Sequence, residues 1–230
     1  MFIGHFAVAL AAKRSAPRAS LGWLFAACQL PDLIWPVLLL VGAERARIAP
    51  GDTAFTPLAF DHYPWSHSLL LVVVWAALFA LLYSSRTRDR RGAIAVAVLV
   101  TSHWVLDWVT HRPDLPLVPP PLPGSGVRAG LGLWNSVPAT LVVELVLFAA
   151  GVWLYAGATR PRDRTGKVAF RGLVLFLLLV YSTNAFSPPP PGMTAVAVGG
   201  LAIWLLVWWG AWADGHREAG SDGRRAGGIG

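Results

Sequence analysis

The chain has 230 residues, 55% hydrophobic and 13% charged, with a formal net charge of +7 and a mean hydropathy of +0.55. A soluble domain carries about 25% charged residues, so this composition excludes a water-exposed globule and predicts an all-α integral membrane protein. The basic residues lie in short loops between apolar stretches, the pattern of topology signals and lipid headgroup contacts rather than of a nucleic-acid-binding face. One cysteine, Cys28, excludes an internal disulfide and a cysteine-rich zinc site, and reads as a small apolar residue at a helix contact.

The first apolar segment, residues 2–12, is half a span long and carries His5. Its apolar run precedes Lys13 and Arg14, the reverse of a signal peptide, so it is read as part of the mature protein. As a half-helix entering from Lys13 it would carry His5 about 12 Å into the membrane; lying flat on the inner surface it would not. Six longer stretches follow at about 21–43, 66–84, 92–111, 135–158, 168–186 and 193–213. Each is roughly 18–24 residues, enough to cross about 30 Å of hydrocarbon. Period-two alternation is absent, which argues against a β-barrel. The reading is one transmembrane helical domain, 1–213, with six spans and a short N-terminal half-helix, then a disordered cytoplasmic tail, 214–230, in which His216 is solvated.

Loop charge alternates. Lys13, Arg14 and Arg18 precede the first long span; Arg86, Arg88, Arg90 and Arg91 separate the second and third; Arg160, Arg162, Arg164, Lys167 and Arg171 separate the fourth and fifth. The loops near 44–65, 112–134 and 187–192 carry much less positive excess. The positive-inside rule then places the basic loops and both termini in the cytoplasm of a multi-pass inner-membrane protein. The proline-rich runs Pro113 to Pro123 and Pro188 to Pro191 fall outside, as stiff loop or helix stop. Trp204, Trp208, Trp209 and Trp212 in the last span read as an aromatic belt.

Ionisable groups inside these spans carry the chemistry, because each costs several kcal/mol in hydrocarbon unless partnered. His103, Asp107 and His111 stand four residues apart, within roughly 80° of one helix face. An i,i+4 pair on one face can grip a metal ion, and the plain alternative is an inter-helix hydrogen-bond network. His62 and His67 bracket a proline turn, with Ser68 as a cap and Asp61 as cap, imidazole acceptor or ligand. Asp32 lies between Pro31 and Pro36, where a broken helix lines a cavity more often than it faces lipid; Gln29 is a neighbouring polar partner. Glu144 is the one charge in its span, a candidate ligand or general base, and Asn135 stands as a cap before it. Counted inward, Asp32, His103 and Glu144 lie on the order of 12–17 Å deep, with Asp107 higher and His67 and His111 nearer the mouth of an outward-opening funnel.

Together these segments resemble the membrane-bound metal-dependent hydrolases, the LexA-binding, inner-membrane-associated hydrolase family. The resemblance rests on His5 in an apolar N-terminal helix, the Pro31–Asp32 step, the His62 to His67-Ser68-Leu69 segment and the His103 to Asp107 helix, and it covers roughly the first 110 residues. The family often shows PDxD, and Ile34 stands where the second acid would be, a loss for which His111 or Glu144 would compensate. The resemblance implies a divalent transition metal, zinc first with manganese or iron as alternatives, among His5, Asp32, His62, His67, His103, Asp107 and His111. Glu144 or Asp107 would take a proton, and the substrate would be a lipid or amphiphilic ester or phosphoester.

Two readings from other classes stand beside this one. A metal or proton transporter needs polar residues that continue to both faces. A non-catalytic assembly protein needs only a polar packing network. In a Cys28→Ala background, single-cysteine labelling is expected to place the 44–65 and 112–134 loops on the outer face; labelling from the cytoplasm would reverse the orientation.

Overall fold

A computed structural model describes residues 1–220. In chain order the elements are α1 (Ile3–Ala12), α2 (Leu21–Cys28), α3 (Leu30–Leu40), β1 (Arg45–Ile48), β2 (Leu58–His62), α4 (Pro64–His67), α5 (Leu69–Thr87), α6 (Arg90–Thr110), β3 (Leu115–Pro116), β4 (Arg128–Ala129), a 3-10 turn at Leu133–Asn135, α7 (Val137–Ala158), β5 (Thr159–Pro161), α8 (Arg164–Phe186), α9 (Met193–Leu201), α10 (Ile203–Gly215) and β6 (Arg217–Ala219). The α5, α6, α7 and α8 helices and the joined α9–α10 rod are each long and apolar enough to cross a membrane, and α2 with α3 makes a sixth, bent by 57°. All six predicted stretches fall on these helices. The strands are three two-stranded antiparallel pairs that tie loops together: β1 with β2, β3 with β4, and β5 with β6.

Local chemistry sets the helix ends. Ser20, Ser136 and Asp163 accept the Trp23, Ala139 and Gly166 backbone amides and cap α2, α7 and α8. Ser136 takes the capping role expected of Asn135, which lies in the 3-10 turn. Ser68 precedes α5 but its hydroxyl makes no capping bond. The first long span breaks at Gln29, two residues before Pro31, whose ring removes an amide at the start of α3. Burial follows the chemistry. Only 17% of the α5 apolar window is buried, against 39% for α6, the helix that carries His103 and Asp107. In water, apolar faces as exposed as that of α5 would aggregate; in a bilayer they meet acyl chains.

The position of α1 decides the site. It is not flat on the surface: Ile3, His5, Phe6, Ala9 and Leu10 are all buried, and it packs against α7, α2 and α6. Gly151 permits this, since a Cβ there would collide with the backbone of Ala7. Phe6 meets Phe25 of α2 edge-on at 4.9 Å.

At the basic end, a buried charge pair locks the termini of several helices. Lys13 Nζ donates to Asp214 Oδ2 (2.6 Å) and to the Ala19 carbonyl (2.8 Å). Asp214 also accepts from the Leu21 amide (3.1 Å) and the Tyr155 hydroxyl (2.7 Å). Arg217 lies over the Tyr155 and Phe170 rings and donates to Thr159. The expectation of a disordered tail from residue 214 is therefore corrected for 214–219, which end α10 and form β6, because these charges find partners there. His216 is likewise not simply solvated; its Nδ1 lies 2.7 Å from Asp163 Oδ2. The Gly220 amide donates to the Ala158 carbonyl (2.8 Å), and 221–230 lie outside the described residues. Removing one partner of a buried ion pair costs about 3–5 kcal/mol. Asp214→Ala is expected to lower the Tm in detergent by an amount of that order, and Lys13→Met/Asp214→Leu to recover most of it.

Candidate metal centre

Four elements converge on one point. His5 comes from α1, Asp32 from the first turn of α3, His67 from the end of α4, and His103 and Asp107 from α6. Ligand atoms of His5, His103 and Asp107 all lie within 4.8 Å of one another, as do those of Asp32, His67 and His103. His103 belongs to both sets and joins them. Its Nε2 is 3.0 Å from Asp107 Oδ2 and 3.8 Å from Asp32 Oδ1. His67 Nε2 lies 3.5 Å from Asp32 Oδ1 and 3.8 Å from Asp107 Oδ2. His5 Nε2 lies 3.1 Å from Asp107 Oδ1, and its ring stacks on His103 at 3.8 Å.

Two of the rings are oriented from behind. His103 Nδ1 donates to the Cys28 carbonyl (2.7 Å), which α2 exposes at its break. This turns Nε2 to the shared space, where it is buried and, despite its closeness to Asp107, has no partner in hydrogen-bonding geometry. His67 Nδ1 lies 2.7 Å from Ser66 Oγ, and Ser66 Oγ is 2.6 Å from Glu44 Oε2. A hydroxyl has one proton. Given to the carboxylate, it leaves Ser66 to accept from His67 Nδ1–H, so the Nε2 lone pair faces Asp32 and Asp107. Glu44 is itself held by the Trp65 and Ser66 amides (2.8 and 2.9 Å).

The other sequence-derived candidates stand apart from this cluster. His62 lies in β2, paired with Arg45, and Asp61 forms an exposed ion pair with Arg47 (3.2 Å). His111 shares the helix spacing of His103 and Asp107 but α6 ends at Thr110, and the chain turns extended there. The His111 ring packs at a tilt against Trp134, with centroids 4.4 Å apart, and its Nδ1 donates to Asp114 Oδ1 (2.9 Å). Glu144 is fully buried but engaged: Oε2 accepts the Phe2 and Gly4 amides (2.9 and 3.2 Å), capping the start of α1. It anchors the start of α1 through Oε2, while Oε1 is buried without a hydrogen-bond partner among the described residues. Gln29 has both amide atoms buried without a hydrogen-bond partner among the described residues.

Sequence reasoning missed Glu44, Ser66 and the Met1 nitrogen. Glu44 beside Arg45 reads as a solvated loop charge, and only its pairing with the α4 turn 21 residues away shows otherwise. Ser66 carries a local signal, its direct adjacency to His67. The Met1 nitrogen donates to Asp107 Oδ1 (2.5 Å) and Thr110 Oγ1 (3.3 Å), an arrangement visible only once α1 is inserted.

The fold and this cluster define a class: a polytopic helical membrane protein with a buried histidine–aspartate centre. The chain belongs to the YdjM inner membrane protein family, which it matches over residues 1–188. That range contains all five residues of the centre, and it makes the protein a multi-pass inner-membrane protein embedded in a lipid bilayer. No curated protein and no solved structure matches the chain.

Beside the centre, outside the spans, Tyr63, His111 and Arg112 all bond to Asp114. Burial alone would raise the Asp114 pKa, but these hydrogen bonds outweigh it and hold the carboxyl below its usual value. A carboxylate depressed in the folded state stabilises above its unfolded pKa of about 4, and the contribution is lost as pH falls through the lowered value. The Tm gap between wild type and Asp114→Asn is therefore expected to be widest above about pH 4 and to close on further acidification.

Proposed function

We propose that the protein is a membrane-embedded, metal-dependent hydrolase acting on an ester or phosphoester bond of a lipid or similar amphiphile. The observation that carries this reading is the convergence of three imidazoles and two carboxylates from four separate elements, with ligand atoms within 4.8 Å in each triad. The donor set fits a divalent transition metal, zinc first and manganese or iron next. The buried, unpartnered Nε2 of His103 supports the fit, since acceptors facing one another in hydrocarbon need a cation or a proton between them. His5, Asp32, His67, His103 and Asp107 would hold it. When bound, such a metal supplies Lewis acidity toward water and the scissile bond.

The chain's own residues divide the remaining work. Asp107, held by His5 and the Met1 nitrogen, fixes the imidazoles. Asp32 is the member of the cluster with an exposed edge, its side chain 27% accessible against 6% or less for His67, His103, His5 and Asp107. It is therefore the carboxylate that meets water and substrate and accepts the proton at its free edge. Glu44 and Ser66 hold the tautomer of His67. A centre at this depth in the membrane is reached from the lipid or from the outer leaflet, which favours an amphiphilic substrate. Below His5 the buried Phe6, Ala9 and Leu10 close the inner half with apolar side chains. That favours hydrolysis over a through-going ion path.

Elemental analysis of detergent-purified protein is expected to find near-stoichiometric zinc, manganese or iron, lost in His103→Ala/Asp107→Ala. With the metal retained, Asp32→Asn is expected to slow hydrolysis of a micellar ester or phosphoester by about 10²–10⁴-fold. A wild-type protein that binds none of these metals would end the proposal.

A further inference from the structure

A second feature lies at the opposite end of the molecule and does not depend on the metal centre. A cavity of about 610 Å³ at the start of α8 is lined by Arg162, Arg164, Lys167 and Arg171 together with Asp163. All four cations are exposed, and among the described residues none of them makes an ion pair. The lone carboxylate does not neutralise them: Asp163 Oδ1 caps the Gly166 amide and Oδ2 faces His216 Nδ1, each at 2.7 Å. Four cations thus face one another around open space with one spent acid among them.

What occupies that space follows from the rest of the helix. Arg164, Lys167 and Arg171 are spaced i, i+3, i+7, which sets them within about 60° of one face. The same face continues away from the cations as Leu175, Leu179 and Phe186, which are 67%, 60% and 72% exposed. A cationic cluster joined end-on to a lipid-facing apolar stripe matches an amphiphile, with its phosphate on the cations and its acyl chains along the leucines. It does not match a soluble anion or a nucleic acid, neither of which would cover the stripe. By the positive-inside rule this end faces the cytoplasm, where the leaflet is anionic and each basic side chain near the surface adds attraction. The length of the Arg171 side chain lets it reach down from the stripe to the headgroup level.

We propose that this face of α8 is a binding site for an anionic glycerophospholipid, its phosphodiester held by Arg164, Lys167 and Arg171 with Arg162 at the rim. The test uses the full chain in a neutral detergent, titrated with phosphatidylglycerol, phosphatidylcholine or glycerol phosphate, read by retained lipid in native mass spectrometry and by Tm. Phosphatidylglycerol is expected to bind and raise the Tm, and the other two are not. Arg164→Gln/Lys167→Gln/Arg171→Gln is expected to weaken phosphatidylglycerol binding by on the order of a hundredfold. Arg164→Lys/Arg171→Lys keeps the charges and is expected to bind, which separates loss of the site from loss of the fold. Arg86→Gln/Arg88→Gln/Arg90→Gln removes equal charge from another basic loop and is expected to leave binding unchanged. Equal losses in the two glutamine triples would reduce the effect to general surface charge and overturn the site. Equal binding of glycerol phosphate would make it a soluble-anion site and overturn the lipid.

Discussion

The structure is organised around Asp107. A carboxylate in the buried half of a transmembrane helix is untenable without partners, and this one gathers them from most of the molecule. His103 lies one turn below it, His5 comes from α1 and the Met1 nitrogen from the residues just before it, and His67 comes from the α4 turn. No two of α1, α4 and α6 are neighbours in the sequence, so satisfying one charge fixes how three distant segments pack.

Several otherwise odd features are consequences. A ten-residue helix is too short to span a bilayer, yet most of α1 is buried; it enters because Gly151 lets its backbone approach α7 and Glu144 caps its start. The first long span is broken at Gln29, and the break frees the Cys28 carbonyl that orients His103. Glu44, outside the cluster, is buried because it terminates the relay through Ser66 to His67. Helix defects that would weaken a packing unit here supply the polar atoms that aim the imidazoles.

The two ends of the bundle therefore differ in kind. One carries a charge-dense, buried centre backed by loop hairpins and by Asp114. The other carries the Lys13–Asp214 pair, the stacked Arg217 and an exposed cationic face on α8. Apolar side chains from α1 separate them. This polarity gives the molecule an orientation relative to the bilayer as well as a site within it.

Composition and hydropathy alone determined the class, the number of long apolar stretches and their places, because lipid solvation acts on each helix separately and is written in its own residues. Asp32, His67, His103 and Asp107 were legible as candidates for a related reason: a charge inside a span is anomalous wherever it lies. What the residues could not announce is who meets whom. His111 has perfect helical spacing, but α6 stops one residue short, and the ring goes to Asp114 and Trp134. Glu144 is as deep as the others, but one of its oxygens is taken by the two backbone amides that open α1. Glu44, Ser66 and the Cys28 carbonyl have ordinary local contexts and acquire their roles from contacts that span up to 75 residues. Solvation is a local property of the chain, whereas the satisfaction of buried charge is a property of packing, and only the tertiary structure decides it.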